Sequence, residues 1–251
     1  GSGAGNISLG LLTTTSSSST AISVNADNGV SGTIITDINA GSTNISAVNG
    51  GVVLVARSSI GGTSDATALE IVAATLDASN FSNSMFLNLE SDISISNLSI
   101  TTQANFIGTG NITQTGAITA TALTANVTGG VTLENTSNNV TSVSISATGN
   151  IDYIDADAFT VNTTNSVVGV SSSGGSINLS TSGNLTVSSN ITISAGTGTV
   201  ALNADSEKNA VGDLIISGTV TVNTNNNALT LQGADVDFSA ATSVSSGSAA
   251  T

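Results

Sequence analysis

Apolar residues along this chain fall in short i, i+2 pairs with Ser, Thr, Asn or Asp between and around them. The stretch from Gly110 to Val161 shows the pattern most plainly. Val131/Leu133, Val143/Ile145, Ile151/Tyr153 and Phe159/Val161 are such pairs, and Gly129-Gly130 and Gly149-Asn150 punctuate them. A period of two puts both members of each pair on one side of an extended strand. Strands of about three to five residues, parted by about two to five, leave no room for crossover helices. Hairpins between successive strands need Asn-Gly-type turns in quantity, and the chain has few. A coiling chain satisfies both constraints, because each strand then pairs in parallel with its equivalent one turn later.

Residues 1–50 are the least regular. Ile7/Leu9 and Ile22/Val24 read as strands on either side of the polar run LLTTTSSSST, and turns are predicted at Asn28-Gly29 and Asn49-Gly50-Gly51. Val52 to Ala56 reads as a buried strand. Asp65 to Ala74 is alanine-rich enough to admit a helix, but its Thr and Val are poor helix formers and its neighbours read as strands. Near the end, GNLTVSSNITISAGTGTVALNAD lies over GDLIISGTVTVNTNNNALTLQGAD at an offset of 29 residues. Leu185/Val187 falls on Leu214/Ile216, Ile191/Ile193 on Val220/Val222, and Val200/Leu202 on Leu229/Leu231. Three pairs in fixed order predict three strands per coil, a triangular solenoid, with Asp205 to Val211 as a loop bulging from it. At about 20 residues per coil the chain makes roughly 12 coils, a rod on the order of 55–60 Å long at the spacing of stacked strands. The expected architecture is an all-β parallel β-helix over residues 1–251, less regular over 1–50 and regular over 51–238.

Composition narrows the core. Hydrophobic residues make up 39% of the chain and aromatic ones only 2%, so the interior is filled by Ala, Val, Ile and Leu and must be narrow. Abundant β-branched residues in clean alternation exclude disorder. Proline is absent, as befits a chain in which nearly every strand is central and owes a ladder hydrogen bond. Sixteen acidic residues stand against two basic ones, Arg57 and Lys208, for a net charge of −14, which argues against nucleic acid and anionic membranes as partners. No apolar run approaches the roughly 18 residues of a membrane helix. A membrane barrel needs aromatic girdles, and the chain has one Tyr and no Trp. It opens GSGAG without a secretory signal and reads as a segment of a longer protein.

SIGGTSDATALEIVAATLDAS, GNITQTGAITATALTANVTGGVTL and NNVTSVSISATGNIDYIDADAFTV resemble phrases recurrent in the shafts of secreted filamentous haemagglutinin-like adhesins. With the terminal coils, the resemblance runs from Gly51 to Phe238. It implies a right-handed parallel β-helix, export by two-partner secretion, and an extracellular or bacterial cell-surface location. It also implies a partner in a host or neighbouring-cell surface. The secretion domain of that family is not evident in this sequence.

The chemistry available is sparse. With neither His nor Cys, the commonest general base and the thiolate nucleophile are missing, and Arg57 and Lys208 fall in different repeats. The chain is therefore not expected to be an enzyme or to carry a cofactor. Asp152, Asp155 and Asp157 form the densest acidic cluster. Their oxygens on one coil edge suit Ca²⁺, although outward positions that aid solubility account for them more simply. Asp205/Glu207 and Asp235/Asp237 carry a weaker version of the same signal. Asn-x-Ser/Thr triplets at Asn97, Asn111 and Asn184 follow from the strand pattern. Thr119/Thr121, Thr197/Thr199 and Thr219/Thr221 raise an ice-binding alternative, but the pairs drift in register. The expected role is a shaft for adhesion. The alternatives are a surface-layer or fibre protein that associates end to end with itself, and a glycan- or ice-binding module.

Overall fold

A computed structural model describes residues 5–27, 29, 33–38, 41–62, 64–81, 83–238 and 243–245. Among these residues nearly every element is a β-strand, and the helical content is one 3₁₀ turn, Asp65–Thr67. The chain forms two compact units, Gly1–Thr121 and Ala122–Thr251. In each, strands pair in parallel with the equivalent strand of the next coil, so the fold is a β-solenoid.

The second unit has three faces. Val131, Ile151, Ile177, Val200 and Leu229 lie in register through five levels of the first face. Phe159, Leu185, Leu214 and Val236 do the same on the second. Ile145, Val170, Ile191, Val222 and Val244 form the third. Val131, Ile145 and Ile151 are each fully buried and point into one core. Period two explains the sorting, since the residues between them face outward and are Ser, Thr, Asn or Asp at most levels. Burying one such aliphatic side chain contributes about 1.5–3 kcal/mol, and every coil repeats the gain. The nine-residue strand Asn139–Ala147 serves two faces, with Val143 opposite Val161 and Ile145 opposite Val170.

Coils are longer than a 20-residue step in several places. Asp77 and Asn97 stand 20 residues apart across one step, Asp152 and Asn178 stand 26 apart, and Asn184 and Asp213 stand 29 apart. The solenoid therefore has fewer coils than the dozen expected, because the extra residues leave the stack as excursions. One is a small antiparallel hairpin, Thr163–Thr164 with Val167–Val168, turned by Asn165 and Ser166 at φ 49° and 67°. Both turn residues have the positive φ of a type I′ hairpin. The other is the loop predicted at Asp205 to Val211. The repeat also slips. Leu185/Val187 does stack on Leu214/Ile216, but Ile191 stands opposite Val222 rather than Val220. Two additional residues enter at the Ser217-Gly218 turn, where Gly218 has φ +80°. A slip of two keeps apolar residues inward, whereas a slip of one would expose them all.

In the first unit, Ile7–Leu9 pairs with Ile35–Asp37, Ile35 bridges to Ile60 and Ile60 to Met85, and Met85–Leu89 pairs with Gln103–Gly108. Two twelve-residue strands, Ile45–Ala56 and Leu69–Asn80, continue around a corner from one face to the next. Asn49-Gly50-Gly51 is thus not the turn its residues predict but a bulge within a strand, with the register shifting between Ala47 and Gly51. The glycines serve close approach instead. A Cβ on Gly50 would sit 2.4 Å from the Ser16 carbonyl oxygen, and one on Gly51 would sit 1.9 Å from that of Ser19. The polar serine run crosses the strand there, and the Gly51 N–H donates to the Ser18 carbonyl at 2.8 Å. Over Asp65 to Ala74 the helix alternative survives only as the 3₁₀ turn. Leu69, Ile71 and Ala73 then alternate into the core as strand residues. Of the turn predicted at Asn28-Gly29, Asn28 lies outside the described residues, and Gly29 has φ +79°.

Candidate functional site

The densest acidic stretch lies on the strand Ile151–Asp155 and the corner after it. Alternation divides its three aspartates. Ile151, Tyr153 and Asp155 face inward and Asp152 faces outward. Asp152 accepts a hydrogen bond from the Asn178 side-chain amide one coil away. Asp157, on the exposed corner, accepts from the Asn139 amide at 3.3 Å. Asp155 is only 2% exposed. Its Oδ2 accepts from the Tyr153 hydroxyl and from the Val140 N–H at 2.9 Å, and its Oδ1 accepts from the Asp157 N–H at 3.0 Å.

This geometry locks a corner. Tyr153 packs edge-on against Phe159, with ring centroids 5.1 Å apart at 80°. A buried tyrosine needs a partner for its polar tip, and Asp155 supplies it. Burial pushes the Asp155 carboxyl above the ordinary aspartate range, while the Tyr153 hydroxyl and the Asp157 and Val140 N–H groups pull it back. Burial, and then the neighbouring Asp155 charge, raises the Tyr153 hydroxyl well above its ordinary value. The three carboxylates weighed as a weak Ca²⁺ candidate are thus directed to three different neighbours, and Asp155 is not at the outward position that the simpler reading gave it. Among the described residues, no group of three acidic side chains is placed to hold a metal. Tyr153 and Phe159 are both buried, so neither offers a sugar a stacking surface.

In the other acidic pairs, Asp205, Glu207 and Asp235 are engaged locally. Asp205 frames the loop that follows it, accepting from the Asn209 and Ala210 N–H groups at 2.9 and 3.3 Å. Asp235 accepts from the Val236 N–H. Arg57 pairs with Asp27 at 2.9 Å and lies over the Phe81 ring, 4.9 Å from its centroid. Lys208 sits in the Asp205 loop with φ 54°.

Sequence reasoning missed a recurring device on the outer faces. Asp77 is met by Asn97, Asp92 by Asn111 and Asp152 by Asn178, each pair one coil apart with the amide donating to the carboxylate. Stacked strands stand about 4.8 Å apart, so a second carboxylate at these places would face the first almost directly. An amide in its place converts repulsion into a hydrogen bond. For Asp92 the Asn111 backbone N–H and then its side chain lower the carboxyl below its ordinary value. The signal was legible as Asp and Asn one coil step apart. It also explains why two of the three Asn-x-Ser/Thr asparagines singled out, Asn97 and Asn111, have their amides engaged. Asn184 instead accepts from the Asp213 N–H at 2.9 Å.

A shallow recess of about 410 Å³ runs along one edge of the second unit. Thr128, Ser146, Thr148, Ser171, Ser173 and Ser194 line it with hydroxyls and no charge. The threonine pairs noted in the sequence do not build it. Thr119 stands opposite Ser99, and Thr221 opposite Ser243. Compared with known proteins, the chain matches no family model, no curated protein and no solved structure.

Proposed function

We propose that this chain is a structural shaft segment of a bacterial surface adhesin or filament, extracellular and non-catalytic. Its work is to hold a binding element away from the surface that bears it. The observation that carries the reading is the in-register stacking of three apolar faces through successive coils. Such a stack resists bending, because every strand is hydrogen-bonded to the coils beside it and every inward position is filled. The outer surface supports the same role. It is polar, and its outward acids Asp77, Asp92 and Asp152 are each paired with an amide of the next coil, so it remains hydrated. The engaged carboxylates fit a shaft better than a site, since their lone pairs are directed to the protein's own donors. The family resemblance supplies the expected partner, a host or neighbouring-cell surface, reached through a tip that the shaft presents.

The test is to insert the chain between a surface anchor and a binding domain of known affinity. The binding domain should be displayed farther from the surface with its affinity unchanged. The chain alone should neither cleave polysaccharides nor bind them saturably. Turnover, or tight binding to a soluble glycan, would replace the shaft reading with a binding module or enzyme.

A further inference from the structure

Three carboxylates of the first unit, Asp37, Glu70 and Glu90, gather around the segment from Gly41 to Asn44. The Gly41 N–H donates to Glu70 Oε1 at 3.2 Å, and the Thr43 hydroxyl donates to Glu90 Oε2 at 2.6 Å. Asn44 is fully buried and ties the group together. Its side-chain amide N–H donates to Asp37 Oδ1 at 2.7 Å, its side-chain Oδ1 accepts from the Glu70 backbone N–H at 2.9 Å, and its backbone N–H donates to the Glu70 backbone carbonyl at 3.0 Å. Glu70 itself is only 3% exposed, and its second carboxylate oxygen, Oε2, is buried without a hydrogen-bond partner.

Among the described residues, no positive charge is placed against the Glu70 carboxylate. The strand bearing Glu70 packs against Ile45–Ala56, Met85–Leu89 and Ile93–Ser99, none of which contains a charged residue. The strand Ile35–Asp37 brings only Asp37, and Glu90 follows Met85–Leu89. Asp77, farther along the strand of Glu70, is met by Asn97. Arg57, the one basic residue of this unit, is paired with Asp27. An ionised carboxylate buried beside two others with a lone pair unmet carries the penalty of an uncompensated buried ion. A neutral carboxyl costs much less.

We propose that Glu70 is carried as the neutral acid in the folded unit, which makes this corner a proton-operated latch on the Gly41–Asn44 segment. Acid closes the latch by removing the charge that the corner cannot compensate. Rising pH opens it. Asp155, equally buried, meets three donors, whereas the Glu70 carboxylate accepts from the Gly41 N–H and leaves Oε2 unmet. The direction agrees with the environment. Burial raises the Glu70 carboxyl above its ordinary value, the charges on Asp37 and Glu90 add to this, and the N–H groups of Gly41 and Glu70 oppose it. Because the folded form holds the proton more tightly, the stability gained is complete below the unfolded glutamate range. It is lost as pH rises through the folded value.

The experiment is hydrogen exchange of the intact chain from the ordinary glutamate range up to pH 8, since the Glu70 carboxyl is held above that range. Exchange is corrected for its intrinsic pH dependence and followed in peptides covering residues 41–50 and 69–80. Wild-type protection should fall with pH, by up to a factor of about ten per pH unit across the transition. Glu70→Gln should keep the acid-form protection throughout. Asp37→Asn and Glu90→Gln leave Glu70 in place but remove a like charge, so each should move the transition to lower pH. They keep the proposal testable if Glu70→Gln does not fold. Protection independent of pH in the wild type, or a transition that none of the three variants moves, overturns the proposal. So does recovery of full protection at pH 8 when calcium chloride is added to the wild type, because the corner would then take a metal ion instead of a proton.

Discussion

Removing the Asp155 carboxylate should unfasten the corner that Tyr153 and Phe159 form. In Asp155→Ala, the Tyr153 hydroxyl and the Val140 N–H lose their acceptor, and both residues are about 1% exposed. Each orphaned buried donor costs about 1–3 kcal/mol. The combined loss is therefore about 2–6 kcal/mol, or a factor of roughly 30 to a few tens of thousands in the folded-to-unfolded ratio. Asp155→Asn keeps one carbonyl oxygen and should lose about 1–3 kcal/mol, since an amide cannot accept at both former positions. Tyr153→Phe removes only the hydroxyl and should cost about 1.5–3 kcal/mol at neutral pH, the range for a hydrogen bond to a charged group. The assay is convenient because Tyr153 is the only tyrosine and there is no tryptophan. Near-ultraviolet circular dichroism during urea unfolding then reports this corner alone, with far-ultraviolet signal used for Tyr153→Phe. The pH dependence has a definite sign. Burial holds the Asp155 carboxyl above its ordinary value, so its contribution is full below the unfolded aspartate range and declines as pH rises through the folded value. That slope should vanish in Asp155→Asn. In Tyr153→Phe it should extend to higher pH, because the hydroxyl pulls the carboxyl downward. An Asp155→Ala variant within about 0.5 kcal/mol of wild type, the usual range for surface changes, with its tyrosine band intact, would refute the reasoning.

Other substitutions probe the stack itself. Leu185→Ala empties a fully buried position between Phe159 and Leu214 and should cost about 2–5 kcal/mol in urea unfolding. A cost below about 1 kcal/mol would mean that neighbouring coils collapse into the space. Gly175→Ala would bring a Cβ within 2.4 Å of the Asn150 nitrogen and the Gly149 carbonyl carbon, backbone atoms of the coil beside it. Thermal melting should show a loss of about 1–3 kcal/mol. Gly218→Ala meets no atom within 4 Å, so the strain of its φ of +80° acts alone and should cost about 1 kcal/mol. Equal losses at the two glycines would contradict the steric assignment. Asn178→Asp sets a carboxylate against Asp152 and should destabilise the second unit by under about 1 kcal/mol. The loss should shrink as salt is added, and a loss insensitive to salt would point to packing rather than charge.

Much of the fold can be read from the chain because period two has one physical meaning. Alternate residues must share an environment, so the pairs Val131/Leu133, Leu185/Val187 and Val200/Leu202 announce inward positions, and their fixed order announces three faces. The same rule, applied to Ile151, Tyr153 and Asp155, places Asp155 inward and Asp152 outward. That division is within reach of the sequence, and it corrects the reading of all three acids as outward positions, because Asp155 is buried. What the chain could not disclose alone depends on segments distant in sequence. Gly50 and Gly51 look like a turn until the Ser16–Ser19 backbone lies across them. The two-residue slip opposite Ile191 is invisible in the pattern because inward parity survives it. Glu70, between Leu69 and Ile71, reads as an outward, solvated acid. It is buried because Gly41 to Asn44 folds over it, about one coil earlier in the chain. Alternation decides which side of a strand a residue takes. Only the tertiary structure decides whether that side meets water.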